Sequence, residues 1–123
     1  MAVSVHAAPV ISEFMASNGS TIADNDGDYA DWIEIHNPDT TSVDLSGWHL
    51  TDDSAQLTQW TFPSVSIPAG GYLIVFASDK NIATTGQELH TNFKLKSGGE
   101  YLALVHPNGS TISTEFAPYP PQQ

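Results

Sequence analysis

Four aspartates fall within eight residues in the stretch Asp24-Asn25-Asp26-Gly27-Asp28-Tyr29-Ala30-Asp31. At neutral pH their carboxylates repel one another, and a bound cation relieves that repulsion. Calcium takes roughly six to eight oxygen ligands from flexible loops, and Asp, Asn and backbone carbonyls supply them. Asp24, Asp26, Asp28 and Asp31 are therefore the candidate metal ligands, with calcium the candidate ion. The spacing differs from an EF-hand loop, which needs Gly at its sixth position and a bidentate Glu at its twelfth. Counted from Asp24, Gly27 stands fourth and Ile35 twelfth. The competing reading is a solvated acidic turn whose Asp, Asn and Gly serve backbone geometry alone. Zinc fits less well, because the loop offers oxygens and no His.

Other residue types exclude more than they suggest. The chain has no Cys, which removes disulfides, thiolate metal sites and cysteine nucleophiles together. His6, His36, His49, His90 and His106 show no i,i+2 or i,i+4 pairing. No nucleophile elbow, phosphate-binding Gly loop or zincin motif is present, so no catalytic residue is assigned and the expectation is a protein that is not an enzyme. Fourteen acidic residues face three lysines (Lys80, Lys94, Lys96) and no Arg, for a net charge of −11. Such a surface repels phosphate backbones and anionic headgroups, so nucleic acid and membrane surfaces are not expected partners. No apolar run approaches the roughly 18 residues of a membrane helix.

The elements that must hold the acidic loop read as strands. Nine Gly and eight Pro are spread along the 123 residues, marking tight turns between short segments. Strand patterns are expected at residues 10–15, 32–35, 43–45 leading into 47–50, 59–62, 66–67, 72–77, 93–95, 101–105 and 111–116. The run 72–77 reads as a strand buried on both faces. Residues 93–95 and 101–105 are expected to form a hairpin across Ser97-Gly98-Gly99, and Pro107-Asn108-Gly109-Ser110 a second turn. Residues 79–88 read as a polar crossover with one helical turn. The expected core is Ile11, Trp32, Ile35, Leu45, Trp48, Leu50, Trp60, Phe62, Leu73, Val75, Phe93, Leu102 and Leu104. The fold class is therefore all-β: an immunoglobulin-like antiparallel sandwich of about eight or nine strands.

Several of these segments together resemble the lamin tail domain. Ile11-Ser12-Glu13-Phe14-Met15-Ala16 is similar to the family's first strand. Asp31-Trp32-Ile33-Glu34-Ile35-His36-Asn37-Pro38 resembles its most recognisable stretch. Val43-Asp44-Leu45-Ser46-Gly47-Trp48-His49-Leu50, Trp60-Thr61-Phe62-Pro63, Pro68-Ala69-Gly70-Gly71-Tyr72-Leu73 and the segment around Gly98-Gly99-Glu100 follow in order. The resemblance spans residues 10–116, with 1–9 expected to be an N-terminal extension or signal remnant and 117–123 a linker. It implies an immunoglobulin-like module of the bacterial secreted type. The chromatin and nuclear-envelope role of animal lamins does not transfer to a domain with three cationic side chains.

The expected function is accordingly a non-catalytic accessory module of a larger secreted or cell-surface protein. It would mediate adhesion, protein contact or spacing beside neighbouring domains, bind a protein or glycan outside the cell, and be stiffened by calcium at the acidic loop. One alternative is a carbohydrate-binding module that stacks sugars on Tyr29, Tyr72, Trp60 or Tyr101. A second is a self-assembling structural subunit that uses residues 1–9 and 118–123 to reach a neighbour.

Overall fold

The computed structural model describes residues 8–15, 23–95 and 101–116. These form nine strands: β1 (Val10–Met15), β2 (Asp31–His36), β3 (Val43–Asp44), β4 (His49–Thr51), β5 (Trp60–Thr61), β6 (Ser66–Ile67), β7 (Tyr72–Ala77), β8 (Leu102–Val105) and β9 (Ile112–Phe116). They group as a three-stranded sheet β1-β2-β7, a two-stranded β3-β6 ribbon and a four-stranded sheet β5-β4-β8-β9, with every strand pair antiparallel. The result is an all-β sandwich of immunoglobulin-like type.

Alternation along the strands decides what fills the gap between the sheets. Ile33 and Ile35 of β2, Val75 and Ala77 of β7 and Ile11 of β1 point inward to meet Leu50, Trp60, Leu102 and Leu104. Leu45, Ile67 and Phe62 close the side near the β3-β6 ribbon. Twelve of the thirteen expected core residues are buried, and Leu73 is half-buried against the same cluster. Trp32 is buried too, but its place in β2 puts it on the face opposite Ile33, in register with Phe76. Among the described residues the indole N–H groups of Trp32 and Trp60 have no acceptor, against the expectation that a buried indole finds one.

The corner between the sheets follows from local chemistry. Asp44 Oδ1 accepts the Ser46 N–H at 2.9 Å, and the Trp48 N–H closes a turn on Leu45 O at 2.9 Å. Gly47 sits at φ +83°, a left-handed conformation that disfavours a side chain. That bend passes the chain from β3 to β4 and drops Trp48 against His106, ring centroids 4.2 Å apart.

Three expectations are corrected. Residues 93–95 do not pair with β8, because β4 and β9 already occupy both of its edges; Lys94 bridges Ser78 instead. The Ser97-Gly98-Gly99 turn lies outside the described residues. The crossover after β7 has no helical turn: Gln87 N–H closes on Thr84 O at 3.1 Å, and residues 89–91 lie along β7. Finally, β7 is not buried throughout. It is an edge strand whose C-terminal half is covered, while Tyr72 at its start is 59% exposed.

Candidate functional site

The acidic loop closes on Asp24. Its Oδ1 accepts the N–H groups of Asp26 at 3.0 Å and Asp28 at 2.9 Å, and its backbone N–H donates to Asp28 O at 2.8 Å. Gly27, at φ +84°, lets the chain double back so that its N–H reaches Asp24 O. This tight Asx-type turn gathers three of the four predicted ligands. Carboxylate oxygens of Asp24, Asp26 and Asp28 lie within 4.8 Å of one another. Asp31, at the start of β2, stands apart, and its Oδ2 accepts the Leu95 N–H at 3.2 Å.

A cation already sits among the three carboxylates, and it belongs to the chain. Lys80 Nζ donates to Asp24 Oδ2 at 2.6 Å, Asp26 Oδ2 at 2.8 Å and Asp28 Oδ2 at 2.9 Å. The crossover presents it there through two left-handed residues, Asp79 (φ 64°) and Asn81 (φ 54°), of types that tolerate this region. Their N–H groups bond to Phe93 O and Thr91 O, which ties the turn to the segment that follows. The Asp24 side chain is wholly buried, whereas those of Asp26 and Asp28 are 69% and 65% exposed.

The titration behaviour follows from this geometry. Burial alone would push the Asp24 carboxyl up. The Lys80 ammonium and the Asp28 and Asp26 N–H groups outweigh burial and hold it below the ordinary carboxylate value. Hydrogen bonds to Asp24, Asp26 and Asp28 drive the Lys80 ammonium well above the usual lysine range. Asp24 and Lys80 each keep the other charged.

Beside the cluster runs a second polar chain that the sequence reading missed. Ser78 Oγ lies 2.7 Å from His90 Nδ1, and His90 Nε2 lies 3.0 Å from Glu88 Oε1. Ser78 Oγ also accepts the Lys80 N–H at 3.2 Å, which leaves the hydroxyl proton for Nδ1. Glu88 Oε1 in turn accepts the Asn25 N–H at 2.8 Å, so the chain joins the acidic loop from the other side. His90 is buried and stacks on Phe76, centroids 5.4 Å apart. A serine, an imidazole and a carboxylate in a row also occur where a hydroxyl is activated for attack. Here Ser78 opens onto a depression of about 440 Å³ whose wall includes Asp28 and Asp31, charges that oppose a developing oxyanion. Lys80, on the same wall, is committed to three carboxylates.

Sequence spacing carried weak signals for both features. Glu88 and His90 are two apart, which puts them on one side of an extended segment. Lys80 is one of three lysines and lies between two residues of turn-forming type. Neither pattern says that residue 80 meets residue 24.

Aromatic placement bears on sugar stacking. All three Trp are buried, and Tyr101 donates its hydroxyl to Glu115 Oε2 at 2.7 Å. Tyr29 and Tyr72 are exposed, but Tyr29 precedes β2 while Tyr72 pairs with His36 at its far end. That separates the two rings by roughly 20 Å along the strand.

Sandwich architecture, closed core and internally satisfied polar cluster define an immunoglobulin-like interaction module. The family model for the Lamin Tail Domain matches residues 2–116, and the chain belongs to that family of non-catalytic modules. No curated protein matches the chain.

Proposed function

We propose that this domain is a non-catalytic interaction and spacing module of a larger secreted or cell-surface protein. One observation carries the reading: the charged and hydrogen-bonding side chains gathered at the crossover are engaged with one another. Lys80 is held by Asp24, Asp26 and Asp28, and His90 by Ser78 and Glu88. Groups committed in this way stiffen a scaffold. The net charge of −11 supports an aqueous, soluble exterior facing cationic or neutral partners. The test is protease shaving of intact cells that express the full-length parent protein with a tag beside this domain. Release of the domain supports the reading, and retention inside intact cells overturns the extracellular part.

A second reading keeps calcium as a stabiliser. The convergence of the three carboxylates within 4.8 Å favours it, and Lys80, with 27% of its side chain exposed, has a route out to solvent. In this reading the ion and the ammonium compete for the same oxygens. Calcium at about a hundred times its dissociation constant would then add about 2.7 kcal/mol to stability. If neither the native chain nor Lys80→Gln melts higher in millimolar calcium than in chelator, the calcium reading is wrong.

A further inference from the structure

The three-stranded sheet ends at β7, and the hydrogen-bonding groups along that edge are only half used. Phe76 turns its N–H and C=O away from β2: the N–H donates to Leu89 O at 2.9 Å and the C=O accepts the Thr91 N–H at 2.8 Å. Because backbone direction alternates along a strand, Ile74 and Tyr72 turn theirs the same way. Residues 89–91 run parallel to β7 and meet its edge at Phe76, beyond Ile74, and among the described residues nothing pairs with these outward groups of Ile74 and Tyr72. They are left to water or to an added strand.

The edge also lacks the features that normally discourage pairing. Strand β7 contains no Pro and no Lys, and its six-pair register with β2 has no shift. The opposite edge, β1, is guarded. It carries a bulge between Ile11 and Glu13, and it is tied to β9 through Ile11 N–H to Thr114 Oγ1 at 3.3 Å and Ser113 Oγ to Pro9 O at 2.6 Å.

The outer face beside the open edge indicates what would fit. Across the sheet, Ile74 stands opposite Glu34, and Glu34 opposite Glu13. Two like charges face each other there, an arrangement that disfavours itself unless a cation is near. Glu34 takes a hydrogen bond from Ser12 Oγ at 2.8 Å, and neither glutamate ion-pairs with a described residue. In the neighbouring row, Tyr72 stacks on His36 with centroids 4.3 Å apart, offering an exposed aromatic surface. A second copy of this chain would bring the same glutamates and the same net charge of −11 to the edge, so charge disfavours self-pairing.

We propose that residues 72–74 of β7 form a docking edge for an extended, lysine- or arginine-bearing segment of a partner protein, bound as an added strand. This rests on the interaction-module reading above and names its surface. The peptide backbone bonds the outward groups of Ile74 and Tyr72. A cationic side chain lays its methylenes over Ile74 and carries its charge to Glu34 and Glu13. Its neighbour two residues along rests on the Tyr72–His36 stack, where a cation gains from the ring face.

The test uses the whole chain, amide NMR spectra and a synthetic hexapeptide of alternating lysine and valine, with a glutamate-for-lysine control. The expected result is perturbation and slowed solvent exchange centred on the amides of residues 72–74, with affinity falling as salt rises. N-methylating the peptide at the residue paired with Ile74 abolishes binding without touching the protein's fold. Glu34→Gln and Glu13→Gln each weaken binding by roughly threefold, the size of an exposed ion pair. Equal binding by the N-methylated or the glutamate peptide overturns the proposal. So does a perturbation mapping to another face, which would leave the interaction-module reading standing. A β7-to-β7 dimer seen by light scattering at the same concentrations also overturns it.

Discussion

Replacing Asp24 by Asn keeps the side chain's size and removes one negative charge. The retained oxygen can still accept the Asp26 and Asp28 N–H groups, but as a neutral acceptor. Neutral hydrogen bonds contribute about 1 kcal/mol each and charge-assisted ones roughly twice that, so the two bonds together lose about 2 kcal/mol. The new amide nitrogen faces the Lys80 ammonium where Oδ2 stood at 2.6 Å, and losing that contact removes a further 1–2 kcal/mol or so. The sum is about 3 kcal/mol. That is the low end for breaking a buried ion pair, as expected when Asp26 and Asp28 still hold the lysine. At about 4 °C per kcal/mol for a domain of this size, the melting temperature should fall by about 12 °C. Asp26→Asn and Asp28→Asn remove partners that are largely exposed, and each should cost less than about 1 kcal/mol. Circular-dichroism melts and urea titrations in the presence of a chelator measure all three. Equal losses at the three positions, or an Asp24→Asn variant as stable as the native chain, would refute the claim that a buried Asp24–Lys80 contact organises the loop.

The same contact sets the pH response. Because the folded state depresses the Asp24 value, its contribution is full above about pH 4, the unfolded value, and fades as pH falls further; urea midpoints should drop in that acid range, and less steeply for Asp24→Asn. Lys80 and Tyr101 are both raised, Tyr101 to about 12 by burial and by its bond to Glu115, so their contributions hold below about pH 10 and fade above it. Tyrosinate absorbance should show a late-titrating component that Tyr101→Phe removes. Asn37 is fully buried and donates to Thr41 O at 2.9 Å and Ile67 O at 3.0 Å. Asn37→Ala removes the donor to both carbonyls and leaves a cavity, and should cost about 2–4 kcal/mol in urea unfolding. Ser78→Ala leaves buried His90 Nδ1 without its donor and should cost about 1–2 kcal/mol. It should leave hydrolysis of an activated ester at the rate of the native chain, and a loss of hydrolysis specific to Ser78→Ala would contradict the non-catalytic reading.

How much of this was legible in the sequence depends on the range of the interaction. Strands β1, β6 and β7 begin and end where alternation and the Pro and Gly boundaries place them, and the Leu45–Trp48 corner follows from residues that touch their own neighbours. The expected hairpin of residues 93–95 with β8 failed for a different reason. Turn chemistry at Ser97-Gly98-Gly99 is local, but the partner of a strand is chosen by competition, and β4 and β9 take both edges of β8. Strand β7 shows the same limit. An apolar run of six residues reads as buried on both faces whether or not a neighbour covers all of it, and here the crossover covers only the C-terminal half. The acidic loop lies between these cases. Its carboxylates converge because Asx and Gly geometry is local, which brings three of the four candidate residues together. Asp31 begins β2, and strand direction carries it away from the turn.

Composition does not reveal a counter-charge supplied from within the chain. With three lysines in the chain, a cluster of aspartates looks short of cations, and a metal is the natural supply. One lysine suffices when the backbone aims it, and Asp79 and Asn81 do so from 55 and 57 residues beyond Asp24. An ammonium carries one charge where calcium carries two, and it donates hydrogen bonds in three directions rather than gathering six or more oxygens. Three carboxylates, each contributing one oxygen, match the three donors of Nζ. Three oxygens satisfy the ammonium as they stand, whereas calcium would draw further oxygens from water or backbone carbonyls. The lysine also gives the loop a structural duty, pinning the segment between β1 and β2 to the crossover after β7. That crossover leads into the segment that covers the C-terminal half of the β7 edge and leaves residues 72–74 open, so the acidic loop anchors the chain that borders the open edge.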